Sequence, residues 1–263
     1  MTHVDALVPA GGRSKPDDPL YPLTKEGPKA MLPIAGKPMV QWVLDALAAS
    51  DRIGRVVVVG LTPEHGLNCR DKPLDYVPDS GSMVDNARAG IRRILELNPQ
   101  ARLTLWASAD IPAVRPEHVN WLVDTCLQTD HDFYYTLIER SVMEGRYPAS
   151  RRSYTRLKDA VVCGGDMNMI AARLAKGDNP LWRKITEARK NVFKQASLIG
   201  FDTLLLLALR QLTLEGAVQR ASKRLGIRGR GVVSPYAEMG MDVDKPFQYE
   251  IIVKDLESRT GQG

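Results

Sequence analysis

Short apolar runs alternate with amphipathic segments through the first half of the chain. The runs lie at 4–8, 55–60, 102–107 and 133–138. The segments between them place apolar side chains at helical spacing, at 38–49, 82–98 and 117–128. The runs are typical of strands buried on both faces, and the segments of helices that cover a sheet. The alternation therefore predicts an α/β domain whose strands are connected by right-handed crossovers.

The pattern becomes less regular in the second half. Strands are predicted at 158–163 and 228–234, and the first of them leads into Gly164 and Gly165. Helices are predicted at 168–176, 180–190, 201–210, 213–226 and 246–257. Because no internal repeat, low-complexity segment or clear linker interrupts the chain, we predict a single domain over residues 1–263.

The amino-acid composition restricts the kinds of molecule that the protein is expected to bind. Of the 263 residues, 44% are hydrophobic and 25% are charged, as in ordinary globular proteins. The net charge is +5, but the cations are mixed with acids and form no basic tract. We therefore expect small anionic substrates, and neither a nucleic acid nor a membrane as partner. The chain shows no signal-peptide pattern, and its three cysteines fit neither a zinc site nor a disulfide framework, so we expect a cytoplasmic protein.

A glycine pair and several cations follow the first predicted strand. The segment contains Pro9, Ala10, Gly11 and Gly12, and then the cations Arg13, Lys15 and Lys29. Glycines allow consecutive backbone N–H groups to point at one anion. The spacing fits neither a Walker loop nor the Rossmann fingerprint, and a tight turn with solvated cations is the alternative. Because the pair Pro28-Lys29 and a helix predicted to begin at Pro38 follow this segment, we favour a phosphate-binding loop.

An aspartate follows the third predicted strand. Asp110 comes shortly after the run at 102–107 and before Pro112. Ligands of open α/β sheets bind at the carboxyl ends of the strands. A carboxylate there suits Mg²⁺, which keeps waters and phosphate oxygens as its other ligands. The alternative is that Asp110 ends the strand or caps the helix that follows Pro116.

These motifs resemble those of a known family. The loop at 10–29 and the segment at 36–47 are similar to the N-terminal signature of nucleotidyltransferases with the MobA-like NTP-transferase fold. That family includes sugar-1-phosphate nucleotidylyltransferases, the molybdenum-cofactor guanylyltransferase and the methylerythritol-phosphate cytidylyltransferase. The resemblance implies a three-layer, Rossmann-like α/β fold of the nucleotide-diphospho-sugar transferase type. Its sheet is expected to be mixed and mostly parallel, with helices on both faces.

The resemblance also implies roles for the glycine loop. The backbone at 9–12 is expected to bind the nucleotide, and Gly11, Gly12 and Arg13 to hold its β- and γ-phosphates. Lys29 is expected to contact the α-phosphate, which makes Arg13 and Lys29 the implied catalytic residues. The loop is longer than is usual in the family, so Lys15 stays open as a residue that shares or replaces the role of Arg13.

Further roles are implied near three helices. Asp110 and Asp244 match the metal-binding aspartates of the family, and Asp242 stays open as the ligand or as a second one. Asp242 and Asp244 also suit an N-cap for the helix that begins at Pro246. Ser82 either reads the base or ribose or caps its own helix. The implied acceptor-binding residues are Gly165 and Asn168.

The function implied by the resemblance is nucleotidyl transfer. A nucleoside monophosphate would pass from an NTP to a small phosphorylated acceptor, with Mg²⁺ (or Mn²⁺) as cofactor and pyrophosphate as product. Residues 1–130 would form the NTP-binding half, 131–238 an acceptor-side insert, and 239–263 the metal-site strand end and terminal helix. The alternatives are a nucleotide-binding regulatory protein on the same fold and a metal-dependent glycosyltransferase. The nucleobase, the acceptor and a homo-oligomeric state stay open.

Overall fold

The computed structural model describes residues 2–25, 27–177 and 200–260, together with positions 179, 181, 182 and 185. The strands are Val4–Pro9 (β1), Pro33–Ile34 (β2), Lys37–Pro38 (β3), Ile53–Val59 (β4), Leu74–Val77 (β5), Leu103–Ala107 (β6), Phe133–Glu139 (β7), Thr155–Arg156 (β8), Val161–Gly164 (β9), Met167–Ala171 (β10) and Gly229–Ser234 (β11). The α-helices are Tyr21–Thr24 (α1), Met39–Ala49 (α2), Met83–Leu97 (α3), Pro116–Leu127 (α4), Arg140–Arg146 (α5), Phe201–Ala208 (α6), Leu214–Leu225 (α7) and Pro246–Thr260 (α8).

The main sheet is mixed and mostly parallel, as the sequence predicts. Its strands lie in the order β5-β4-β1-β6-β10-β7. The first four are parallel, and β10 runs antiparallel between β6 and β7. On the other edge of β7, β11 pairs with it in parallel. Beyond β10, the short strand β9 continues along the same edge of β7 and also pairs with β8. The edge of β7 is therefore shared by β10 and β9, with a break between them.

Helices cover both faces of this sheet. Val56 and Val58 of β4 belong to the core that contains α2 and α4, whereas Val57 and Val59 belong to the core that contains α3. β-branched residues suit a strand that is buried on both faces. A third core lies beneath α8, where Ile252 is fully buried. The predicted three-layer arrangement is therefore confirmed.

The strands and helices predicted before residue 139 are all present, with ends that differ by a few residues. The helix predicted at 168–176 is wrong. Residues Met167–Ala171 form β10, and only Ala172–Ala175 adopt a single 3₁₀ turn. Met169 enters one core while Ile170 enters the other, as alternate residues of a strand do. A short apolar run fits the periodicity of a helix as well as that of a strand. Here the hydrogen-bonded pairing with β6 and β7 makes the segment a strand.

Several short elements do not follow from the apolar pattern, among them β5 and α5. Strand β5 lies in a stretch interpreted as a loop, and α5 follows β7 directly. Most of the helix predicted at 180–190 lies outside the described residues. The helices predicted at 201–210, 213–226 and 246–257 are present as α6, α7 and α8, and the strand predicted at 228–234 is present as β11.

The ends of β1 and β4 approach each other too closely for side chains. Gly60 has a φ of +93°, a region that favours glycine, and a Cβ there would lie 2.2 Å from the Cα of Gly11. The N–H of Ala10 also donates to the carbonyl oxygen of Val59 at 2.8 Å. The start of the glycine loop is therefore fixed by backbone packing.

This packing yields a stability prediction. Gly60→Ala should lower the free energy of unfolding by about 2–4 kcal/mol, because it adds steric overlap to left-handed strain. Gly66→Ala is the matched control, since Gly66 also has a positive φ (+68°) but open space around its Cβ position. The control should lose only about 1 kcal/mol, which is the strain alone. Urea denaturation measures both, and equal losses would contradict the close approach.

Candidate active site

A cleft of about 450 Å³ opens where β1 and β6 end. This volume is in the range of small-molecule sites. The predicted site residues that line it are Pro9, Ala10, Gly11, Gly12, Arg13, Lys15, Lys29, Ser82 and Asp110. The structure therefore brings together the predicted phosphate-binding loop and the first predicted metal ligand. Neither Arg13 nor Lys15 forms an ion pair with another described residue, and both are exposed.

Backbone hydrogen bonds bring Lys29 beside the glycines. The N–H of Lys29 donates to the carbonyl oxygen of Gly12 at 2.9 Å, and Arg13 forms an isolated antiparallel bridge with Pro28. Between these two arms the chain makes the single-turn helix α1, and Leu20 is fully buried beneath it. The extra residues of this loop therefore form a segment that packs onto the protein, and the two ends of the loop lie next to each other.

Lys29 joins two of the predicted metal ligands. Its Nζ donates to Oδ2 of Asp110 at 2.9 Å and also to Oδ1 of Asp244. The N–H of Val243 donates to the carbonyl oxygen of Asp110 at 2.9 Å, which aligns the two chain segments. Burial lowers the pKa of Lys29, but the charges of both aspartates outweigh it and raise that pKa above its usual value. Burial raises the pKa of Asp244, yet Lys29 lowers it more, so this carboxylate stays ionised.

Asp242 and Asp244 form their ion pairs with different cations. It pairs with Arg152, and Gln248 Nε2 lies 3.5 Å from its Oδ1. Only 13% of the Asp242 side chain is exposed, against 54% for Asp244. Burial raises the pKa of Asp242 to about 8, despite Arg152, and neighbouring carboxylates add to the shift. Arg152 therefore engages Asp242, and Lys29 engages Asp244.

A further carboxylate, Asp166, was not among the residues selected from the sequence. It lies at the break between β9 and β10, where its N–H donates to the carbonyl oxygen of Met239 and its carbonyl oxygen accepts from Ser108, each at 2.8 Å. Although 31% of its side chain is exposed, Oδ2 is buried without a hydrogen-bond partner, 3.6 Å from Arg152 Nη2. Burial raises the pKa of Asp166 to about 7, and the charge of Asp110 adds to the shift.

Asp166 could have been suspected from one signal. It follows Gly164 and Gly165 at the end of a predicted strand, as polar site residues often do in α/β sheets. The wrong helix at 168–176 hid this position, because it removed β10 from the sheet. We refer to Asp110, Asp166, Asp242 and Asp244, with Lys29 and Arg152, as the carboxylate cluster.

The charges of the carboxylate cluster suit a divalent cation. Four carboxylates face two cationic side chains, which leaves a charge of −2 when all are ionised. Within the described residues, no three His, Cys, Asp or Glu side chains are arranged to hold a metal ion. The ammonium of Lys29 already lies between Asp110 and Asp244. These two carboxylates fit Mg²⁺, which is commonly bound through one or two protein carboxylates plus waters and phosphate oxygens.

The remaining predicted residues have structural partners. Ser82 caps α3: its Oγ accepts from the N–H of Asp85 at 3.1 Å and donates to that carboxylate at 2.5 Å. Asn168 accepts from the N–H of Thr136 at 2.8 Å and donates to the carbonyl oxygen of Gly165 at 3.3 Å. A Cβ at Gly165 would lie 2.9 Å from the Thr136 side chain. The ligand-binding roles of Ser82, Gly165 and Asn168 stay predictions.

Comparison with known proteins identifies the family. The chain matches the MobA-like NTP transferase domain over residues 6–223. The protein belongs to the MobA-like NTP transferase family. Among solved structures it is similar to a hypothetical transferase from Thermus thermophilus, with 32% identity and a TM-score of 0.79. That match covers 94% of this chain and 100% of the other. No curated protein sequence matches the chain significantly.

More distant solved structures share the fold. A CMP:2-keto-3-deoxy-manno-octonic acid synthetase, solved with CTP, is 15% identical with a TM-score of 0.60, and the match covers 98% of this chain and all of that one. A 2-C-methyl-D-erythritol 4-phosphate cytidylyltransferase, also from Thermus thermophilus, is 15% identical with a TM-score of 0.55, covering 97% and 100%. The predicted nucleotide-diphospho-sugar transferase fold is confirmed. No described helix is long and apolar enough to cross a membrane.

The raised pKa values of Asp166 and Asp242 yield a prediction for this NTP transferase without metal. The folded state keeps protons on both carboxyls that the unfolded chain has already released, so stability should fall as pH rises from about 5 to about 8. Asp166→Asn and Asp242→Asn should each flatten this slope, whereas Asp71→Asn, on an exposed carboxylate, should not. Urea denaturation in chelator across this range measures the slopes. A slope that both cluster variants leave unchanged would contradict the assigned burial.

Proposed function

We propose that the protein transfers a nucleoside monophosphate from an NTP to a small phosphorylated acceptor and releases pyrophosphate. The observation that carries the proposal is the Lys29 ammonium, held between Asp110 and Asp244 at the edge of a cleft whose other wall is the glycine loop. This arrangement supports the proposal, because Lys29, Asp110 and the glycine loop line one cleft and Lys29 also pairs with Asp244. Membership of the NTP transferase family supports the nucleotide as the donor.

The reaction needs positioning and charge more than proton transfer. An oxygen of the acceptor phosphate would attack the α-phosphorus, a new P–O bond would form, and the bond to the β-phosphate oxygen would break. Both reactants are anions, so no general base is required, and stabilisation of the developing charge supplies most of the rate. A divalent cation held by Asp110 and Asp244 would supply part of that stabilisation at the phosphate oxygens.

Each side chain of the cleft has a proposed task. The backbone at 9–12 would bind phosphate oxygens, and Arg13 or Lys15 would neutralise the β- and γ-phosphates, since both are exposed on the cleft. Lys29 would offer its ammonium to the α-phosphate when a metal ion takes over its two carboxylates. Asp244 rather than Asp242 is the proposed second ligand, because Arg152 holds Asp242.

The division of the chain is also proposed on this basis. The described residues that line the cleft lie within 1–130, and 239–263 contribute Asp244, which pairs with the cleft residue Lys29. Strands β7 to β11 lie within 131–238 and extend the same sheet past Asp166. The acceptor would approach from that side, close to Gly165 and Asn168.

Nucleotide binding gives the first test of the proposal. We expect one of ATP, GTP, CTP or UTP to raise the melting temperature, and to do so more strongly with Mg²⁺. At 100 times its dissociation constant, a ligand that binds only the folded state adds about 2.7 kcal/mol, or several degrees for a chain of this size. Differential scanning fluorimetry with each nucleotide, with and without Mg²⁺, measures the shift. If none of the four shifts the transition, the proposal fails at its first step.

Pyrophosphate release gives the second test. With the stabilising nucleotide and a panel of phosphorylated sugars and polyols, Asp110→Asn and Lys29→Ala should each lower kcat/KM by about 10²–10³-fold, as the loss of a transition-state charge partner does. The matched controls are Asp71→Asn and Lys158→Ala, which change exposed residues outside the cleft. Turnover that survives in both cleft variants would exclude the proposed mechanism. Binding without turnover would favour a regulatory role.

A further inference from the structure

Arg152 is buried against the carboxylate cluster from outside the nucleotide cleft. Only 15% of its side chain is exposed. It pairs with Asp242, lies 3.6 Å from Oδ2 of Asp166 and donates to the carbonyl oxygen of Gly164 at 3.4 Å. Its guanidinium thus contacts two chain segments at once, the β9–β10 break and the segment before α8. Because a guanidinium presents several donors in a fixed plane, it can hold such groups in one geometry.

The loop that carries Arg152 is itself anchored on α8. Arg151 has a φ of +48°, in the left-handed region, and its guanidinium lies 5.3 Å from the ring centroid of Phe247. Just before it, Tyr147 donates from its hydroxyl to Asp255 at 3.1 Å. Strained backbone persists where the surrounding structure enforces it. Here it directs two consecutive arginines to two sites on the segment 242–248.

Two aspartates compete in principle for one cation. Asp242 and Asp244 are separated by Val243, which is fully buried. Asp242 interacts electrostatically with Asp110 and Asp244, and Lys29 joins Asp244 to Asp110. In the structure Asp242 is engaged by Arg152 and Gln248, whereas Asp244 reaches Lys29. The backbone N–H of Asp244 donates to Oε1 of Gln248 at 3.0 Å, so the same glutamine orients both residues. Without Arg152, Asp242 would be a carboxylate without a counter-charge beside the site.

We infer that Arg152 is a positioning residue that retains Asp242 and so leaves Lys29, and the divalent cation of the proposed reaction, to Asp110 and Asp244. The expected effect of Arg152 on turnover rests on the proposed function. Its expected effect on the affinity for a divalent cation does not. It assigns Arg152 no contact with the NTP. It also explains why this chain tolerates a second buried aspartate so close to its predicted metal ligand.

Loss of the arginine should have a distinctive double effect. Arg152→Gln removes a positive charge from the cluster and frees Asp242, which loses its proton when it binds a cation, as a competing ligand. We therefore expect Mn²⁺ to bind about tenfold more tightly and pyrophosphate release to become at least about tenfold slower. KM for the NTP should change less than kcat, because the glycine loop and its cations are unaffected. Arg152→Lys should recover part of the activity, since it restores the positive charge but not the planar set of donors of a guanidinium.

The double variant separates positioning from other roles. In Arg152→Gln/Asp242→Asn the competitor is gone and the fully ionised cluster regains its charge of −2, so both Mn²⁺ affinity and turnover should return to within about threefold of the wild type. Arg156→Gln is the matched control, since Arg156 is exposed on β8 and forms no ion pair with a described residue. The control should leave Mn²⁺ affinity and turnover unchanged.

The measurements are Mn²⁺ binding by electron paramagnetic resonance on nucleotide-free protein, pyrophosphate release, and unfolding in urea. A double variant that stays as slow as Arg152→Gln, with a raised KM for the acceptor, would assign Arg152 to the acceptor phosphate instead. If Arg152→Gln lowers the free energy of unfolding but leaves the Mn²⁺ affinity unchanged, Arg152 forms only a structural ion pair and the inference is wrong. If the wild type releases no pyrophosphate, the proposed function fails, while the changes in Mn²⁺ affinity still decide the inference.

Discussion

The ion pairs of Lys29 with Asp110 and Asp244 join three parts of the chain that are distant in sequence. The partners are separated by 81 and 215 residues, so these contacts form only when the sheet and α8 are in place. A buried ion pair stabilises a fold only when its geometry is good and its other polar atoms are satisfied. Asp110 meets that condition, because its second oxygen accepts from Ser108 at 2.6 Å. The geometry of the site thus requires the complete fold, whereas the stability of the fold depends less on these ion pairs.

The carboxylate cluster is poorly balanced for stability alone. Asp166 keeps a buried oxygen without a hydrogen-bond partner, and Asp242 has a pKa raised to about 8. Apolar residues of similar size would avoid this desolvation cost. Local rules are typically broken at functional sites, where the arrangement serves a ligand that carries the missing charge. The divalent cation of the proposed reaction would carry a charge that suits this surplus.

Much of the fold could be predicted because its signals are local. The run of valines in β4 and the Ser82 cap of α3 require no knowledge of the rest of the chain. The predicted secondary structure is wrong where contacts with residues distant in the sequence determine it. Met167–Ala171 could form either a helix or a strand, and becomes a strand because β6 and β7 offer free edges on both sides. Strand β5 is short and half-buried, so its own residues carry little periodic signal.

The site was predictable in part for the same reason. The glycine loop and Asp110 are readable because each follows a recognisable strand, and the structure places them on one cleft. The choice between Asp242 and Asp244 was not readable, since alternate residues of an extended segment share a face. In the proposed site it would be decided by Arg152, which comes from 90 residues earlier in the chain and pairs with Asp242. Which aspartate would bind the proposed cation is therefore a property of tertiary packing, and a motif alone cannot express it.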